Sequence, residues 1–147
     1  MVVTFCGHGD TQSDPAIREW LSETITEQIK QGANLFYLGG YGGFDRIAAS
    51  TVWALKEEYP QILSVLILPY LDWKVDTSLY DETTYPPLET VPRRYAISRR
   101  NQWMVDQADT VIACVNHDWG GAAVTLAYAM RKKKAIINYY DSFSLGN

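Results

Sequence analysis

The sequence predicts an α/β fold: three layers, doubly wound, around a mainly parallel sheet of about five strands. Short apolar segments alternate with segments of helical periodicity along the chain, the pattern of repeated strand-helix-strand units. Ile62 to Leu68 is an unbroken apolar run, as in a strand covered on both faces of a parallel sheet. Two glycine clusters, Gly39-Gly40-Tyr41-Gly42-Gly43 and Gly120-Gly121-Ala122-Ala123, stand where predicted strands run into helices. Such turns let a backbone approach a ligand and aim free N–H groups, with the positive end of the helix dipole, at an anion.

In chain order, Val2 to Cys6 is the first strand. A loop from Gly7 to Ser13 leads to a helix capped by Ser13 or Asp14, with Pro15 in its first turn. Ile17, Trp20, Leu21, Ile25 and Ile29 share one face of that helix, and Gly32 ends it. Leu35 to Leu38 is the second strand, and a helix follows from about Phe44 to Glu58, stopped by Pro60. After the third strand, Ile62 to Leu68, residues 69–94 break the rhythm with four prolines, scattered acids and the aromatics Tyr70, Trp73, Tyr80 and Tyr85. A stretch of this length reads as a lid, a binding loop or an oligomer arm. A third helix spans about Tyr95 to Gln107, the fourth strand Thr110 to Val115, the fourth helix Gly121 to Arg131, and the fifth strand Ala135 to Tyr139. Lys132, Lys133 and Lys134 complement the negative end of the fourth helix.

At 147 residues the chain reads as one domain with a loop insertion. A net charge of -4 argues against coating nucleic acid through phosphate contacts, which needs a cationic surface. Cys6 and Cys114 read as buried small hydrophobes of a reducing compartment, and with only His8 and His117 besides, no zinc-ligand spacing is present. The N-terminal residues do not resemble a signal peptide, and no segment approaches the roughly 20 apolar residues of a membrane span, so the expected location is cytoplasmic.

In doubly wound folds ligands bind at the carboxyl ends of the strands, beside the point where strand order reverses, and the glycine clusters lie on that edge. In the first cluster, Gly39, Gly40, Gly42 and Gly43 are free to take positive backbone dihedrals. Asp45 then caps N–H groups or grips a ribose hydroxyl, and Tyr41 at the tip is placed to stack on a base. The alternative is a tight structural turn with Asp45 as its cap. In the second, Gly120, Gly121 and Ala122 permit close approach of phosphate, with the Thr125 hydroxyl in reach; the alternative is a plain helix start. Arg99, Arg100 and Asn101 begin a helix at the same edge, where a guanidinium fork suits phosphate or carboxylate, or else lies on a solvated face or pairs with a nearby acid. His8, between Gly7 and Gly9, donates to phosphate or ribose or is simply part of the turn, assisted or not by Asp10 and Thr11. Trp119 stacks a base or packs its loop; both stay open.

TFCGHGD, YLGGYGGFDRIAA, the LPY after the third strand, SRRNQWMVDQADTVIACV and GGAAVTLAYAMRKKKAIIN together resemble the YpsA-like branch of the SLOG superfamily, which also includes the Lonely Guy phosphoribohydrolases and the DNA-processing protein DprA. The resemblance covers nearly the whole chain outside residues 71–92. It implies a Rossmann-like domain that binds nucleotides or nucleotide-derived ligands. Arg100, with Met104 four residues on, matches the arginine of the family's RKxxM segment, and Asn101 takes the place of its lysine. The phosphoribohydrolase motif PGGxGTxxE is altered here: Trp119 replaces the proline, and no acid follows Gly121 within the helix. The leading expectation is therefore an intracellular nucleotide sensor, closed over its base by aromatics from residues 70–85 and paired as a homo-oligomer. Hydrolysis of an N-glycosidic bond, with Asp45 and Arg100 as the catalytic candidates, is the alternative, and DprA-like binding of single-stranded DNA a lesser one.

Overall fold

The structure is a computed structural model that describes residues 1–141. Six strands, β1 (Val2–Gly7), β2 (Leu35–Leu38), β3 (Leu63–Ile67), β4 (Glu82–Thr84), β5 (Thr110–Cys114) and β6 (Ala135–Asn138), form one sheet. Their order is β4-β3-β2-β1-β5-β6, and every neighbouring pair is parallel. The chain steps outward from β1 to β4, then returns to β5 on the other side of β1. Strand order thus reverses between β1 and β5.

Four helices cover the sheet: α1 (Pro15–Lys30), α2 (Gly43–Leu55), α3 (Ala96–Gln107) and α4 (Gly121–Arg131). Asp14 caps α1, its carboxylate accepting from the Ile17 N–H at 2.9 Å. Ile17, Leu21, Ile25 and Ile29 bury the inner face of α1 against Phe5, Phe36 and the α2 residues Phe44, Ala48 and Val52. On the opposite face of the sheet, Cys6, Val111 and Ala113 pack with Val105 of α3 and Ala129 of α4. Each large aliphatic or aromatic side chain buried this way contributes about 1.5–3 kcal/mol before the entropy of ordering it. Because side chains alternate along a strand, Cys6 and Cys114 join clusters on opposite faces of the sheet. Both are buried free thiols, and burial pushes Cys6 up to about 12.

Two departures from the expected elements share a cause. α2 ends at Leu55, and the following Lys56 turns its ammonium onto the Ile62 carbonyl at 2.7 Å and the Asp81 carboxylate at 2.9 Å. Asp81 also accepts from the Ser64 N–H at 2.8 Å. These contacts fasten residues within the stretch 69–94 to the start of β3, so that Glu82–Thr84 adds a sixth strand in register with Val65, Leu66 and Ile67. A short polar edge strand gives no periodicity to read, and it leaves the sheet edge unattractive to other chains. Among the described residues no helix is long and apolar enough to cross a membrane.

Candidate functional site

At the carboxyl ends of β1 and β5, where strand order reverses, lies a pocket of about 200 Å³. Gly7 and Gly9 follow from β1, Tyr41 and Asp45 enter from the start of α2, and Arg100 and Asn101 from α3. Gly121, Ala122 and Thr125 enter from the start of α4. The positive ends of α2 and α4 and one guanidinium therefore meet at a single cavity.

Arg100 is the largest fully buried side chain, 2 % exposed. One terminal nitrogen, Nη1, donates to the carbonyls of Gly39 at 2.8 Å and Ile67 at 2.9 Å, and Nε donates to Asn101 Oδ1 at 2.9 Å. The residue thus ties α3 to the ends of β2 and β3, satisfying carbonyls that would otherwise be orphaned. Burial holds its pKa below the usual value, opposed by the nearby Asp45 carboxylate. Arg100 also lines the pocket, so its positive charge lies beside the cavity. The sequence did not reveal this structural work, because the acceptors lie far away in the chain.

Asp45 is half-buried in the first turn of α2, where its Oδ2 accepts from the Tyr41 N–H at 3.3 Å. Burial pushes its carboxyl up to about 6, against the pull of Arg100 and the Tyr41 bond. The two groups are separated by Gly39: a β-carbon there would come within 2.9 Å of Asp45 Oδ2 and 3.3 Å of the Arg100 guanidinium. Gly40 and Gly42 have positive φ, 67° and 93°, and a side chain at Gly43 would run into the Thr11 carbonyl. The Gly43 N–H is itself occupied, donating to the Gly9 carbonyl at 2.8 Å. The first cluster is thus demanded by positive φ and by the backbone and side chains packed around it.

The second turn is open. Gly120 caps α4 with φ 91° and ψ 171°, and an added β-carbon at Gly120 or Gly121 would meet nothing within 4 Å. Gly121, Ala122 and Ala123 occupy the first turn, where N–H groups have no carbonyl within the helix to bond. The Thr125 hydroxyl donates to the Gly121 carbonyl at 2.9 Å, so it faces the pocket as an acceptor.

Four expected residues are placed elsewhere. Arg99 is exposed on the outer side of α3, in a groove with Leu88, Trp103 and Tyr128. Asp10 and Thr11 face a wider groove between α1 and α2 that also holds Arg18 and Arg46. His8 is buried beside the pocket, with its Nε2 accepting from the Asn116 N–H at 3.1 Å. Accepting requires an unprotonated Nε2, and burial, with His117 next to it, lowers the His8 pKa accordingly. Of the loop aromatics, Trp73 and Tyr80 pack towards Gly40, and Tyr70 carries the Arg93 guanidinium 4.0 Å above its ring.

A feature absent from the sequence reading joins His8 to Trp119. The His8 and His117 rings stack at 3.6 Å, and His117 and Trp119 stack at 3.7 Å, each pair 14° from parallel. His8 follows β1 and Asn116 to Trp119 follow β5, so the adjacency of these two strands at the reversal point brings the rings together. Among the described residues no group of three or more His, Cys, Asp or Glu side chains is arranged to hold a metal ion.

Comparison with known proteins agrees with the fold. A UPF0398 protein of Bacillus thuringiensis (strain Al Hakam) is 25% identical over 141 residues, covering 88% of this chain and 77% of the relative. Another, from Bacillus cereus (strain G9842), is 24% identical over the same length. The molybdenum cofactor binding protein of Rippkaea orientalis superposes with a TM-score of 0.62 at 19% identity, over 93% of this chain and 74% of that one. DNA processing protein A of Helicobacter pylori, described by its single-stranded DNA binding mode, has a TM-score of 0.62 at 18% identity, over 94% of this chain and 64% of that one. The family model described as the YspA SLOG family matches residues 8–145, and the chain belongs to that YpsA family.

Proposed function

We propose that the protein binds a nucleotide or nucleotide-derived ligand at the pocket between the starts of α2, α3 and α4, and that it acts as a sensor or regulatory module. The observation that carries this reading is the open turn at Gly120 and Gly121, where Gly121 and Ala122 line a cavity that also receives Arg100. A phosphate seated on these amides is stabilised by the α4 dipole and by the guanidinium. The Asp45 carboxylate and the Thr125 hydroxyl oxygen, as acceptors, suit ribose hydroxyls. At about 200 Å³ the pocket is smaller than those that enclose whole cofactors. It takes the phosphate-ribose end and leaves the base outside. The molybdenum cofactor binding protein of the same fold lends support by analogy only.

Isothermal calorimetry with AMP, ADP-ribose, NAD and cyclic nucleotides tests the reading. Saturable binding of at least one, with adenosine binding far more weakly, is expected; no binding across the panel would reject it. A second reading, cleavage of an N-glycosidic bond, is favoured by a carboxyl raised to about 6 within the pocket, a value suited to proton transfer near neutrality. Chromatography of the same mixtures for freed base decides it. Pairing of two copies belongs to the same proposal, supported by the exposed Val124 and Met130 on α4; sedimentation equilibrium measures it.

A further inference from the structure

Resting on the nucleotide reading above, we infer that Trp119 is the stacking platform for the ligand's base. The indole is 67 % exposed although one of its faces is covered by His117, so its other face is open to solvent. An exposed tryptophan on a loop would ordinarily lose rotamer freedom when it captured a ring. Here that freedom is already restricted, because His117 lies 3.7 Å beneath it and His8 lies 3.6 Å beneath His117. The lowest ring is in turn fixed to the backbone by the Asn116 N–H at 3.1 Å. The column stands on buried structure and ends at a free aromatic face.

Its position suits a nucleotide. Trp119 precedes Gly121 by two residues, which span at most about 7 Å. A phosphate on the Gly121 and Ala122 amides and a ring on Trp119 are therefore within reach of one small ligand. The competing aromatic surfaces are less prepared. Trp73 and Tyr80 are turned towards Gly40, and Tyr41, though 66 % exposed, stacks on no ring among the described residues. Stacking accepts any base, because every base has a π-face; the platform therefore recognises an aromatic heterocycle as a class.

Calorimetric titration of the four ribonucleoside monophosphates and of ribose 5-phosphate into the wild type, Trp119→Ala and Trp119→Phe tests this. Trp119→Ala is expected to weaken the best-bound monophosphate about five- to 150-fold, the range of one base-aromatic stack. Trp119→Phe should recover most of that loss, and all three proteins should bind ribose 5-phosphate alike. Equal monophosphate affinity in the wild type and Trp119→Ala would overturn the platform, as would a parallel loss of ribose 5-phosphate, which would make Trp119 a support for the phosphate turn. A wild type that binds ribose 5-phosphate as tightly as the monophosphates would also overturn it while leaving the anion site intact. A wild type that binds none of the five probes would reject the nucleotide reading and the platform with it.

Discussion

The turns that open α2 and α4 have nearly the same backbone at the cap, φ 93° and ψ 174° at Gly42 against φ 91° and ψ 171° at Gly120. Their surroundings are opposite. Around the first, Gly9, Thr11, Leu66 and the Arg100 guanidinium occupy the space where β-carbons would go; around the second there is nothing within 4 Å. The same local signal thus serves two purposes. One turn is glycine-rich because of positive φ and because other backbone and side chains lie against it; the other needs positive φ at one residue beside a vacant surface. Space for a side chain at the turn is found at the second, so the proposed anion seat rests on the shorter motif rather than on the longer, more conspicuous one.

The contrast can be broken by substitution. Arg100→Ala removes three hydrogen bonds from a buried charge network and strands the Gly39 and Ile67 carbonyls. We expect a loss of about 3–5 kcal/mol in denaturant unfolding. A loss under 1 kcal/mol would mean that the first turn is held by other contacts. Gly43→Ala forces a β-carbon against the Thr11 carbonyl and should cost about 3 kcal/mol, at the upper end for overpacking.

Asp45 gives a smaller effect with a defined pH dependence. Its carboxyl rises from 3.8 to about 6 on folding, so the native state holds the proton more tightly. The stability this supplies is present at low pH and is lost as pH rises from about 4 through 6. Asp45→Asn keeps an acceptor for the Tyr41 N–H without the charge. It should be more stable than the wild type by about 1–2 kcal/mol at pH 8 and nearly equal at pH 4, as unfolding curves at the two pH values would show. A gain of the same size at both pH values would deny that the charge is the cause. Smallest of all, Gly121→Ala should change stability by less than about 1 kcal/mol, towards the stable side. A cost comparable to that of Gly43→Ala would erase the distinction between the two turns.

The order of elements was readable because each β-strand from Val2 to Asn138, apart from β4, is apolar and bounded by turn residues. β4 was not, since Glu82, Thr83 and Thr84 owe their pairing to Lys56, Asp81 and Ser64, contacts that no local pattern encodes. At the candidate site, glycine positions and the register of Arg100 were enough to bring Gly7, Arg100 and Gly121 to one edge of the sheet. Sequence could not divide Arg100 between structure and ligand, because its acceptors are the carbonyls of Gly39 and Ile67, 61 and 33 residues away in the chain. The ring column escaped for the same reason. His8 and His117 meet only because β5 returns to the side of β1.

The central claim, that an anion is held by the open amides of α4, is tested most directly with Gly121→Glu. An acid at the start of a helix favours its dipole, and the site has room for a side chain, so the thermal midpoint should stay at or slightly above that of the wild type. The added carboxylate should occupy or repel from the anion seat, and calorimetric affinity for the best-bound phosphate ligand should fall at least about a hundredfold, the loss of one charge-assisted cluster of hydrogen bonds. Undiminished binding by a stable Gly121→Glu protein would contradict the account.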